Sequence, residues 1–184
     1  MNASVRTRSE IQVEPLSTRV ELHPLLAGMN HTQLALLTDC AVARHFNAKQ
    51  PILREGEFAN GFHLIETGKV ALESEASFGK SIPIQILGAG DLLGWSWMFP
   101  PYVRQFTARA IEPTTTLFFY ATILREYCER DHSLGYELLK RISAVMVTRL
   151  HAAHDQLLSI YSGSLSREPM IAGVPLPKTG NFRV

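Results

Sequence analysis

A chain of 184 residues is long enough for one domain with a full core plus tails, and short for two. Hydrophobic content of 46% with 19% charged residues is ordinary for a soluble globular protein, and a net charge of +1 offers no global field for nucleic acid or an anionic membrane surface. The longest apolar runs fall well short of the ~20 residues a membrane span needs, and Cys40 and Cys128 are too few for a disulfide framework or a four-thiolate zinc or iron–sulfur site.

The N-terminus, MNASVRTRSE, has no apolar run of the signal-peptide kind, so a cytoplasmic protein with reduced thiols is expected. Residues 1–20 are polar and without a clear period and read as a flexible segment. From His23 to about Asp39, Leu25, Leu26, Met29, Leu34, Leu36 and Leu37 recur at helical spacing, with Asn30 or Thr32 as a cap. From Ala41 to about Ala121 come short runs rich in β-branched and aromatic residues, among them PILREGE, GFHLIETGKVAL, SIPIQILGAGDLLG and TTTLFFYA, separated by glycines. That pattern predicts a mainly β fold with flanking helices, a small antiparallel roll or barrel and not βαβ units.

After Ala121 the strands stop. Residues 122–130 suit a short helix, and Asp131 or Ser133 can cap a second, long one. In it Ile142, Met146, Leu150, Ala153, Leu157 and Ile160 form a seam of three- and four-residue steps. Gly163 is its expected end, which gives a domain over residues 21–162 and a Pro-rich tail over 163–184.

This order of elements resembles the cyclic nucleotide-binding domain family, which implies a jelly-roll-like β-roll with a long C-terminal helix. REGEFANGFHLIETGKVAL (54–72) is similar to its glycine-glutamate turn, strand and second glycine turn. LGAGDLLGW (87–95) is similar to its G-D-x-x-G-E approach to the phosphate cassette, and RQFTARA (104–110) to the closing R-(S/T)-A. RISAVMVTRL (141–150) resembles the start of the helix that dimerises in the catabolite activator and Fnr group. The resemblance implies a sensor domain whose ligand is cAMP or cGMP and whose long helix, residues 138–161, joins two copies.

In that family a short helix after the cassette glycine points free N–H groups at the cyclic phosphate, and an arginine pairs with it through a planar fork of donors. Gly94 and Arg104 stand at those positions here, Ser96 offers a hydroxyl, and His154 of the long helix falls where the family contacts the base. Two positions depart from the pattern. Trp95 replaces the glutamate that accepts from the ribose hydroxyl, and Gln105 stands where a small hydroxyl residue helps hold the phosphate. A hydrogen bond between charged and neutral groups contributes roughly 1.5–3 kcal/mol, so loss of the carboxylate alone weakens binding by about one to two decades. The Trp95 indole can also occupy the sugar pocket itself.

Each residue has a plainer reading. Arg104 can be solvated or paired with a carboxylate, and Trp95 and Trp97 can be packing residues. His151, His154 and Asp155 share a helix face at a spacing that can hold a metal, though surface histidines are commoner. The expected function is a stand-alone sensor or regulatory module with a degenerate cassette, acting through an unidentified protein partner. The alternative is a genuine cAMP or cGMP receptor that tolerates Trp95. A cupin-like metalloenzyme fails on ligand count, since only His63 sits in a convincing strand, and no nucleophile elbow or P-loop points to enzymatic activity. About 24 residues follow Ile160, too few for a winged helix-turn-helix, so no DNA binding is expected.

Overall fold

Helices give way to strands at Ala41 and return at Ala121, where the sequence changes its pattern. The structure, a computed structural model, describes residues 14–76 and 80–165. Eight strands form two antiparallel sheets. The first is ordered β1 (Ala41–Phe46), β8 (Thr114–Tyr120), β3 (Gly61–Thr67), β6 (Leu92–Leu93). The second is ordered β2 (Pro51–Leu53), β7 (Thr107–Ala110), β4 (Val70–Ala76), β5 (Lys80–Leu87). The first strand pairs with the last, Ala41 opposite Phe119 and Phe46 opposite Thr114, which is the jelly-roll closure the resemblance implied.

Side chains alternate across each strand, so one set faces between the sheets. Leu53, Ile65, Val70, Leu72, Leu87, Leu93 and Ala108 form a buried cluster there, drawn from β2 through β7. Phe62, Leu64, Leu117 and Phe119 of the first sheet are buried as well, and α3 (Ala121–Arg130) packs against β3 and β8. At roughly 1.5–3 kcal/mol for each large apolar side chain, these two layers dominate the stability of the roll.

The N-terminal helices differ from expectation. The single helix from His23 to Asp39 is broken into a 3₁₀ turn, Pro24–Leu26, and α2 (His31–Asp39). Gly28 at φ 79° separates them, and Asn30 starts α2 with a capping box closed by Gln33. The flexible segment expected through residue 20 also ends sooner, because Leu16–Leu22 forms α1. Val20 is buried, and Arg19 makes a two-pronged ion pair with Glu66 of β3. Residues 1–13 lie outside the described residues.

The last helix, α4 (His132–Leu165), is capped by Asp131, whose Oδ1 accepts from the N–H of Ser133 at 3.0 Å and of Leu134 at 3.2 Å. Gly163 does not end it; the helix continues to Leu165, and the tail from residue 166 lies outside the described residues. Two units divide the chain, Met1–Val145 and Met146–Val184, with the boundary inside α4. In the first unit Leu134, Leu138 and Ile142 are buried; in the second Leu150 is 68% exposed and Ile160 59%. The seam is therefore not uniform along its length.

Candidate functional site

The cassette begins where β6 ends. Gly94 adopts φ 87°, ψ 48°, a left-handed conformation in which a side chain is strained, and a single 3₁₀ turn, Trp95–Trp97, follows it. The two indoles separate. Trp97 is fully buried and stacks on Phe62, 5.4 Å between ring centres, so it is a core residue. Trp95 is half-buried, and its ring meets Phe99 edge-on within the same loop. The Pro100–Pro101 bond is cis.

Residues 102–104 return along the loop before β3. Ala59 N donates to Tyr102 O at 2.6 Å, Arg104 N to Glu57 O at 2.8 Å, and Gly56 N to Arg104 O at 2.9 Å. This ladder fixes the backbone from which Arg104 projects. Neither plain reading of Arg104 holds: it is 3% exposed, and among the described residues no carboxylate pairs with it. Its Nη1 donates to Gly94 O at 2.9 Å, and its Nη2 to Gly61 O at 2.6 Å and, more weakly, to Asn60 Oδ1 at 3.5 Å. Burial draws the guanidinium down to about 10, against the field of Glu57, so it remains charged at neutral pH. The arginine at the phosphate position is thus bonded to the carbonyl of the cassette glycine itself.

A second arginine, which sequence reading did not single out, ties the turn from α3. Arg125 Nη1 donates to Trp97 O at 2.9 Å, and its guanidinium lies 4.8 Å from the centre of the Tyr102 ring. Asn60 and Gly61 were missed too, because their contribution is chiefly a carbonyl and leaves no residue-type signature.

The remaining candidates are placed as follows. Ser96 is buried in the turn beside Gly94, whereas Gln105 is exposed and donates to Val103 O at 3.2 Å. His154 belongs to the second unit, exposed on α4, with its Nδ1 3.8 Å from Asp155 Oδ1. Gly94, Ser96 and Arg104 are brought together. His63, the one histidine of the cupin reading, is buried on β3 with Nδ1 2.9 Å from Thr116 Oγ1. Among the described residues no group of three or more His, Cys, Asp or Glu side chains is placed to hold a metal, and no helix is long and apolar enough to cross a membrane.

Residues 43–131 match the family model of the cyclic nucleotide-binding domain. The cyclic AMP receptor protein of Thermus thermophilus is 25% identical over 123 residues, covering 65% of this chain and 57% of its own length. The structure of a cyclic nucleotide-binding domain from Methylobacillus flagellatus superposes with a TM-score of 0.67 at 20% identity, covering 78% of this chain and 81% of that one. A candidate cyclic nucleotide-binding protein from Geobacter metallireducens gives 0.66 at 24% identity, over 73% and 98%. At these identities the solved structures speak for the fold. With the motifs in the family's order and the matched span running from β1 to the end of α3, the β-roll of this chain is a member of the cyclic nucleotide-binding domain family.

Proposed function

We propose that the chain is a regulatory module on the cyclic nucleotide-binding fold whose cassette is closed on its own arginine, so that it acts through protein contacts and not by holding cAMP or cGMP. The observation that carries this reading is the pair of carbonyls on Arg104, Gly94 O and Gly61 O. A cyclic phosphate that recruits the guanidinium competes with both. A buried carbonyl and a part-buried one left without donors cost about 2–4 kcal/mol, which sets binding back by roughly one and a half to three decades. Trp95, where the family carries its ribose-binding carboxylate, removes a further contact.

The exposed apolar residues of the second unit, Leu150, Leu157 and Ile160 among them, support a second copy of the chain as one partner, joined along residues 138–161. The test is a titration of cAMP and of cGMP followed by tryptophan fluorescence, since Trp95 and Trp97 are the only tryptophans. The expected result is no saturable change up to about 1 mM ligand. A saturable change at micromolar ligand, lost in Arg104→Ala, would establish a nucleotide receptor instead.

A further inference from the structure

A second cavity adjoins Arg104 away from the cassette turn. It has a volume of about 290 Å³ and is walled by β1 and β8 of the first sheet, β2 of the second, and the loop before β3. Arg44, Phe46, Asn60, His63, Arg104 and Phe118 line it, whereas Gly94, Trp95, Ser96 and Gln105 do not. We propose that this cavity is an effector site for a small aromatic carboxylate, with the carboxylate paired to Arg104 and Arg44 and the ring packed on Phe46 and Phe118.

Charge points to an anion. Arg104 is buried without an ion pair, a costly state for a charge unless a counter-ion or strong dipoles meet it. Arg44 donates to the Tyr120 hydroxyl at 3.2 Å, lies 5.8 Å from the centre of the Phe118 ring, and likewise has no carboxylate partner among the described residues. The single carboxylate on the cavity wall, Glu57, has a side chain 61% exposed and faces Arg54 at 4.0 Å. With Glu57 turned to Arg54, the guanidiniums of Arg44 and Arg104 leave the wall an excess of positive charge that an anion balances.

The rest of the wall specifies a ring. Phe46 meets the His63 ring edge-on at 5.8 Å, His63 tilts against Phe118 at 4.7 Å, and Phe118 meets Tyr120 at 4.9 Å. These rings present the faces and edges that aromatic ligands pack on. His63 spends Nδ1 on Thr116, and among the described residues its Nε2 has no partner, so a further polar contact remains available beside these rings. The volume of about 290 Å³ lies just under the ~300–1,000 Å³ range of ligand pockets, which suits a small ligand.

The test uses the full chain, ¹⁵N-labelled, titrated with benzoate and followed by two-dimensional NMR, with benzyl alcohol and inorganic phosphate as comparators. Benzoate is expected to saturate, with shifts centred on residues 44–46, 60–63 and 116–120. Benzyl alcohol and phosphate are expected to bind at least about tenfold more weakly. Arg104→Met also removes donors from Gly61 and Gly94, so the informative variant is Arg44→Met, at an exposed position, which should weaken benzoate about tenfold with an otherwise native spectrum. The proposal is overturned if benzoate fails to saturate by about 10 mM, if either comparator binds equally well, if Arg44→Met binds undiminished, or if the shifts fall on residues 94–98 and 105. None of these results depends on the nucleotide titration, which judges the cassette separately.

Discussion

Gly94 and Gly56 share a left-handed backbone, φ 87° and 81°, but differ in what an added methyl would meet. At Gly56 nothing lies within 4 Å, whereas at Gly94 a Cβ would stand 2.5 Å from Arg104 Nη1 and 3.0 Å from Leu53 Cδ1. Alanine at either position bears the left-handed penalty, about 1–2 kcal/mol. Only at Gly94 must the guanidinium also withdraw, giving up its bond to Gly94 O in a part-buried setting, which adds about 1.5–3 kcal/mol. Gly56→Ala should therefore cost about 1–2 kcal/mol and Gly94→Ala about 2.5–5 kcal/mol, read as a shift in urea midpoint at unchanged m-value. In an Arg104→Met background the excess at Gly94 should shrink to what the 3.0 Å approach to Leu53 Cδ1 leaves, since the closest clashing atom is gone. Equal losses at the two glycines, or an excess undiminished without Arg104, would refute the closed cassette.

Other consequences follow from the same structure. Burial, reinforced by Arg104 and Arg44, holds His63 down at about 3, and burial also lowers His23. Both lie below the ordinary imidazole value of about 6.5, so the unfolded chain binds the extra protons: stability is full above about pH 6.5 and falls on acidification, for His63 toward pH 3 by up to about 1.4 kcal/mol per pH unit, with His23 acting in the same direction. His63→Phe should remove one such share from the slope between pH 6 and 4 in urea titrations (roughly the window in which only the unfolded imidazole is charged), and an unchanged slope would show that His63 is not held neutral. Leu150, 68% exposed, should lie in the contact between copies; Leu150→Glu should sediment as a monomer where the parent chain is a dimer, and a variant that remains dimeric counts against that seam. Arg19→Met strands the partly buried Glu66 carboxylate and should cost about 1–3 kcal/mol in unfolding free energy; no loss would mean that α1 is not held by this pair.

Strands and their turns were legible because alternation and glycine punctuation are local signals, and the roll follows from them. The helix ends were less so. Pro24 and Gly28 interrupt a leucine pattern that reads as one continuous helix, and nothing local distinguishes Ile142, buried, from Leu150, exposed, on the same seam. Gly163 shows the converse: a helix breaker by propensity, it sits inside α4. In the cassette, the positions of Gly94 and Arg104 could be read from motif order. Their bond could not, because the acceptors are backbone carbonyls 10 and 43 residues away in sequence. The cavity was illegible for a related reason: Arg44, His63 and Phe118 are scattered through three strands, and only their pairing in one sheet gathers them.

Carbonyl dipoles on Arg104 orient the guanidinium without neutralising it, so the charge still favours an anion from whichever side one can reach. On the cassette side, reaching it means competing with Gly94 O and Gly61 O. On the side of the inter-sheet cavity, an anion can take the guanidinium N–H groups that neither carbonyl uses. The two directions are opposed in their effect: a phosphate in the cassette draws the latch open, and a carboxylate in the cavity leaves it shut and relieves its uncompensated charge. Benzoate should accordingly raise the unfolding midpoint of the parent chain, because it binds the folded state alone, and should raise it less in Gly94→Ala, where the guanidinium is already displaced. An equal rise in both would mean that the cavity takes its ligand without Arg104, and that the arginine serves the cassette only.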